Sequence, residues 1–187
     1  MPADTRDRLI TATRELLWQR GYSATSPKDI QALGQVGQGS MYHHFDGKEA
    51  LGAAALQASA HDVLTAAEDQ FGGEGSALER IAAYLRRQRP VLRGCPIGSM
   101  TDDEAVMASP ILSAPVRETL GGLRDGVHAL LLQAQAGGEL GAFDASRVAA
   151  TIVATVQGGY VLAQAAGDER PFSDAVEGAL QLLEATR

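Results

Sequence analysis

Apolar positions recur along this chain with a helical spacing. Leu9, Ile10, Leu16 and Leu17 fall at i, i+1, i+7 and i+8, which makes one stripe, with Thr13 at i+4 able to turn its methyl inward. Trp18 and Tyr22 extend that cover. Residues 47–70 are alanine-rich and helix-permissive, until Phe71-Gly72-Gly73-Glu74-Gly75-Ser76 breaks the run as an interhelical loop. The next helix starts near Ala77, carries Leu78, Ile81, Ala82 and Leu85 inward, and fails between Pro90 and Pro96. Thr101 and Glu104 read as a capping box for a short helix. Pro110 and Pro115 suit helix beginnings, and a longer helix follows to about Gln135 before Gly137-Gly138. Residues 144–166 and 172–186 give two final helices. No stretch alternates polar and apolar residues as a strand does, so the expected class is all-α with about nine helices.

Two short helices joined by a turn stand out within residues 25–51, TSPKDIQALGQVGQGSMYHHFDGKEAL. Ser26 is a good N-cap, Pro27 suits the first helical position, and Asp29 favours the positive helix start. Ile30 and Leu33 supply an inward face. Gly34-Gln35-Val36-Gly37 forms the break, and Gly37 caps a second helix in which Met41 and Phe45 face one way. Gln38, Ser40, Tyr42 and His43 spread over its remaining, hydrogen-bonding surface. Asp46 and Glu49 read as an acidic N-cap pair for a third helix, whose first turn holds Lys48. A lysine beside free amides at a helix start favours phosphate.

From Thr11 to Leu51 the chain resembles the TetR (tetracycline-repressor-like) family of bacterial regulators. The matching positions are Gly21-Tyr22, Thr25, Ile30, Val36, Gly39, Tyr42, His44, Phe45, Lys48 and Leu51. Three departures touch the turn and its caps: Gln31, Gly34-Gln35 where alanine then glycine is common, and Gly37 where serine is common. The resemblance implies a helix-turn-helix head, residues 1–46, on a helical effector-binding and dimerisation body, residues 47–187. Its DNA contacts would be Thr25, Ser26, Gln38, Gly39, Ser40, Tyr42, His43 and Lys48. It also implies a homodimer through the last two helices that presents two heads to a palindromic operator on double-stranded DNA. A small-molecule effector would release it.

Charge agrees with that division once it is split. The net charge is −7, yet residues 1–51 hold six basic and six acidic residues, leaving 10 basic and 17 acidic for the rest. A neutral head binds DNA if its cations face the groove, while an acidic body points away from phosphate.

In the body, pocket candidates are polar or soft side chains on apolar helices: His61, Tyr84, Cys95, Met100, Met107, His128, Gln157 and Tyr160. Cys95 is the sole cysteine, which excludes an internal disulfide framework and a cysteine-based zinc site. His43 and His44 are adjacent and diverge by about 100° on a helix, so they cannot chelate one metal as an i, i+4 pair would. Gly37-Gln38-Gly39 lacks the preceding strand and third glycine of a dinucleotide fingerprint. Asp102, Asp103 and Glu104 fit a helix start that favours acids.

No metal, cofactor or catalytic pairing is therefore expected, and enzymatic activity is not. No apolar run near the ~20 residues of a membrane span is apparent, and the N-terminus lacks a signal peptide's apolar stretch, so a cytoplasmic protein is expected. The alternatives are a small-molecule-binding helical dimer without DNA binding and a helical enzyme using the body cavity.

Overall fold

A computed structural model describes residues 4–186. Among them are nine α-helices, two short 3-10 turns and no strand. The helices are α1 Thr5–Arg20, α2 Pro27–Gly34, α3 Gln38–His44, α4 Lys48–Phe71, α5 Ala77–Arg86, α6 Glu104–Ala108, α7 Pro110–Ala136, α8 Ala145–Ala166 and α9 Arg170–Glu184. The chain divides into two compact units, Met1–Val63 with Pro96–Thr119, and Leu64–Cys95 with Leu120–Arg187. The boundary expected after residue 46 thus lies inside the first unit.

In the first unit, Leu9, Leu16, Ile30, Val36, Met41 and Phe45 bury one another. Thr13 joins them because its hydroxyl donates to the Leu9 carbonyl at 2.8 Å, which satisfies the oxygen and frees the methyl to pack. Ser26 and Asp29 close a reciprocal capping box on α2, with Pro27 at the first position. Leu33, expected inward, is half exposed. The face that meets α1 runs instead through Ile30 and Gly34, four apart, where a Cβ on Gly34 would lie 3.5 Å from the Ala12 methyl. The turn then passes through Gln35 at φ 51°, ψ 45°, a left-handed conformation that glycine adopts more readily. Arg8 braces it, donating from Nη2 to the Gln35 carbonyl at 2.8 Å.

Three other expected helix starts differ. The α4 start is a glycine turn: Gly47 has φ +108° and its carbonyl accepts the Leu51 N–H, while the Glu49 carboxylate accepts the Ser109 hydroxyl at 2.6 Å. Thr101 sits in a 3-10 turn and donates back to the Gly98 carbonyl, so the short helix begins one residue after Asp103 without the expected box. Pro115 does not begin a helix; α7 runs through it from Pro110. The carbonyl that loses its partner belongs to Ile111, an exposed residue, so water can serve it.

In the second unit, α5 is capped twice. Ser76 and Glu79 form a capping box, and the Glu139 carboxylate accepts the Ala77 and Leu78 amides at 3.1 Å each. In this unit α8 packs against α9. Gly159 permits it, since a Cβ there would stand 2.9 Å from the Phe172 ring, whereas Gly158 meets open space. By length and apolarity α8 does match a membrane span, contrary to the expectation from sequence. Its Ile152, Val156, Tyr160 and Ala163 are buried within the second unit.

Candidate functional site

Met41 anchors α3. Its side chain is fully buried, and Gln31 Nε2 lies 3.4 Å from its sulfur. With that residue turned in, the helix must turn Gln38, Gly39, Ser40, Tyr42 and His43 out, and all five are exposed. Nothing stands within 4 Å of a Cβ built at Gly37 or Gly39, so the backbone at the helix start is open to a partner. His43 and His44 rings meet edge to face at 5.2 Å, with His43 the more exposed.

Thr25 and Ser26 are placed differently. Thr25 is buried, and its hydroxyl donates to the Gly21 carbonyl at 2.8 Å. Ser26 is exposed, but its hydroxyl donates to Asp29 at 2.6 Å and accepts the Asp29 amide. Both hydroxyls are engaged inside the head, where they shape the entry to α2.

Lys48 does not reach freely into solvent. Its ammonium lies 3.9 Å from the centroid of the Tyr22 ring, a cation–π contact. Burial there pulls its pKa down, opposed by the negative charge of Asp103. The same surroundings, burial first and then Glu49 and Asp103, push the Tyr22 hydroxyl up. Three other cations of the head are also held: Arg20 pairs with Asp29 at 2.8 Å, Arg14 with Asp62, and Arg6 lies over the Phe45 ring. Lys28, in the first turn of α2, is exposed, and sequence reasoning passed over it. Its signal was present: a lysine two places after an N-cap, on the side of a short helix that carries no buried residue.

Of the eight body candidates, three come together. Tyr84 on α5, Cys95 after the first 3-10 turn and Tyr160 on α8 are all buried, and each lies within electrostatic reach of Arg89. Burial raises the pKa of both phenols, that of Tyr160 to about 12 against the pull of Arg89, so both stay neutral. Tyr160 also meets Phe172 with ring centroids 4.9 Å apart. His61, Met100 and Met107 belong to the first unit, His61 exposed and Met100 buried. His128 and Gln157, half-buried, lie in the second unit but do not join this cluster. Arg87, Arg89 and Phe172 are the body residues that sequence reasoning missed. Arg86-Arg87-Gln88-Arg89, set between an apolar helix and a proline, could have marked them.

Among the described residues no group of three or more His, Cys, Asp or Glu side chains is arranged to hold a metal ion.

Comparison with known proteins bears on both parts. Residues 9–55 match the family described as bacterial regulatory proteins, tetR family, and residues 76–179 match the tetracyclin repressor-like C-terminal domain. The HTH-type transcriptional repressor NemR of Escherichia coli is 34% identical over 137 residues, covering 70% of this chain and 67% of that protein. The crystal structure of Escherichia coli NemR in its reduced form superposes with a TM-score of 0.83 at 23% identity, over 94% of this chain and 95% of that one. A TetR transcriptional regulator from Chloroflexus aurantiacus superposes with a TM-score of 0.82 at 28% identity, over 95% and 92%.

Proposed function

Because the chain belongs to the tetR family of bacterial regulatory proteins, we propose that it is a ligand-responsive repressor that binds a palindromic operator as a homodimer and leaves it when a small effector binds. Residues 1–46 read DNA, and residues 47–187 bind the effector and the partner subunit. The observation that carries this reading is the outward surface of α3, where Gln38, Ser40, Tyr42 and His43 stand exposed on a helix whose Met41 is locked in a core. Such a helix presents hydrogen-bonding side chains to base edges in a major groove without deforming itself. Tyr42, Lys48 and Lys28 supply phosphate contacts, which set register and affinity.

The partner subunit is assigned to α8 and α9. Val161, Leu162 and Leu182 are large apolar residues left exposed on them, and a cavity of about 430 Å³ between the two helices is lined by Ile152, Ala179, Leu182 and Leu183. Exposed apolar surface of this kind on an otherwise charged protein supports an interface. A two-fold dimer reads half-sites about 34 Å apart or a multiple of that. The effector acts by population shift, binding one arrangement more tightly and lowering occupancy of the DNA-competent one.

The test is selection of binding sites from a random duplex pool with the purified chain at near-physiological salt. An enriched palindrome supports the reading. A folded dimer that enriches no sequence would restrict the function to the ligand-binding body.

A further inference from the structure

Arg86-Arg87-Gln88-Arg89 follow one another where α5 ends, and their surroundings diverge. Arg86 is exposed and bound by both oxygens of Glu177 on α9, at 2.7 and 2.6 Å. That pair is neutral as a unit. Arg89 turns inward. Its Nη1 donates to the Leu85 carbonyl at 2.6 Å and its Nη2 to the Tyr84 carbonyl, while its guanidinium lies 5.3 Å from the centroid of the Tyr84 ring and 5.4 Å from that of Phe172.

These bonds give Arg89 a structural task, since the carbonyls it serves are those left open at the end of α5. They do not account for two other atoms. The Nε of Arg89 and the Nε of Arg87 are both buried and without a hydrogen-bond acceptor. Burial pulls the pKa of Arg89 down, and the groups that act most on its charge are Tyr160, Arg87, Tyr84 and Cys95, none of them a carboxylate. A cation largely withdrawn from water is unfavourable unless a counter-charge joins it, and a second cation beside it makes it more so.

Arg87 and Arg89 line a cavity of about 620 Å³ whose apolar wall is formed by Leu85, Pro90, Phe172 and Val176. Two carboxylates also face it, Glu177, which is taken by Arg86, and Glu169, which is exposed at the start of α9. A neutral apolar occupant would leave the charges of Arg87 and Arg89 without a counter-charge. An inorganic anion would pair with them but leave the apolar wall to water. An anion with an apolar body meets both demands, and a carboxylate suits the planar fork of a guanidinium.

We propose that this cavity binds a small organic carboxylate, its anionic group held by Arg87 and Arg89 and its apolar body against Phe172 and Val176, and that this anion is the effector. The second part rests on the reading of residues 47–187 as the effector-binding body.

The experiment uses the full ¹⁵N-labelled chain and follows the arginine Nε–Hε resonances. Benzoate is the probe, benzamide its neutral counterpart, and inorganic phosphate the anion without an apolar body. Benzoate should shift the Arg87 and Arg89 signals to saturation with a Kd of about 1 mM or tighter. Benzamide should leave them in place. Because Arg89 also closes α5, the variant is Arg87→Gln, which should weaken benzoate about tenfold while the circular dichroism spectrum stays as in the parent. Equal shifts with benzoate and benzamide would overturn recognition by charge. Saturation by phosphate and not by benzoate would overturn the organic carboxylate, and saturation by neither would overturn the site.

No DNA is present in that titration, so a failure of the head to bind DNA leaves its outcome readable. With an operator in hand, benzoate should lower occupancy by the parent at least tenfold more effectively than by Arg87→Gln. Binding of benzoate with unchanged operator occupancy would overturn its role as effector.

Discussion

The Asp103 carboxylate accepts two hydrogen bonds from Ser23, 80 residues earlier in the chain: one from its backbone N–H at 2.7 Å and one from its hydroxyl at 2.6 Å. Ser23 lies in the turn between α1 and α2, and Asp103 is the residue before α6. The turn that leads into the proposed DNA-reading helices is therefore held by a residue from the middle of the chain. Replacing Asp103 by alanine should lower stability by about 1 kcal/mol, below the usual range for a charged acceptor because water reaches the pair. Equilibrium urea unfolding at neutral pH checks it.

The same latch should respond to acid. Burial pushes the Asp103 carboxyl up, but the hydrogen bonds from the Ser23 side chain and from the backbones of Ser23, Val106 and Tyr22 outweigh it and hold the pKa below its ordinary 3.8. A carboxylate with a depressed folded pKa contributes stability above the ordinary value and loses it as pH falls below that value. Asp103→Asn should therefore flatten the acid limb of a Tm-against-pH curve below about pH 4. An unchanged limb would remove Asp103 from the groups that drive acid unfolding.

Gln35 holds a left-handed backbone conformation in the turn between α2 and α3. Gln35→Gly should raise stability by about 1 kcal/mol, less the extra freedom glycine brings to the unfolded chain. The denaturation midpoint should rise with the slope unchanged. Gln35→Val, branched at Cβ, should move it the other way.

Contacts to phosphate and to bases should separate by mutation. Tyr42→Phe and Lys48→Ala should weaken binding to all sequences alike, Lys48→Ala reducing the salt slope by about 1, whereas Gln38→Ala should relax preference at one position at a loss of about 1–3 kcal/mol. Fluorescence anisotropy across a salt series reads both effects. Lys48→Ala with parental affinity would refute its assignment and leave its stacking on Tyr22 as its role.

Gly52 lies under that stack. A Cβ there would stand 2.8 Å from the Tyr22 ring and 3.3 Å from a Leu112 methyl. Alanine is the better helix former by about 1 kcal/mol, yet overpacking a core costs about 1–3 kcal/mol. Gly52→Ala should therefore lower the Tm, and an increase would show that the ring can move aside.

The proposed dimer offers its own check. Leu182 is 72% exposed and lines the cavity between α8 and α9. The parent chain should sediment as a dimer at micromolar concentration and Leu182→Asp as a monomer, with the helix content retained.

By itself the sequence determined the helical class, the head and the family. Those features rest on short-range rules: Ser26, Pro27 and Asp29 specify the start of α2, and Met41 specifies which side of α3 is left for a partner. Even the weak point of the turn was legible, since Gln35 stands where a glycine is usual and adopts the conformation a glycine would. Tertiary structure decided what depends on residues far apart. Leu33 turns outward because Gly34, not Leu33, is what α1 meets. Thr25 is withdrawn from the surface by the Gly21 carbonyl. Tyr84, Cys95, Tyr160 and Arg89 meet only once α5, the following loop and α8 are packed, and Ser23 finds Asp103 only in the folded first unit. No spacing along the chain records such meetings, because the distance between two side chains is set by how helices pack and not by how many residues separate them.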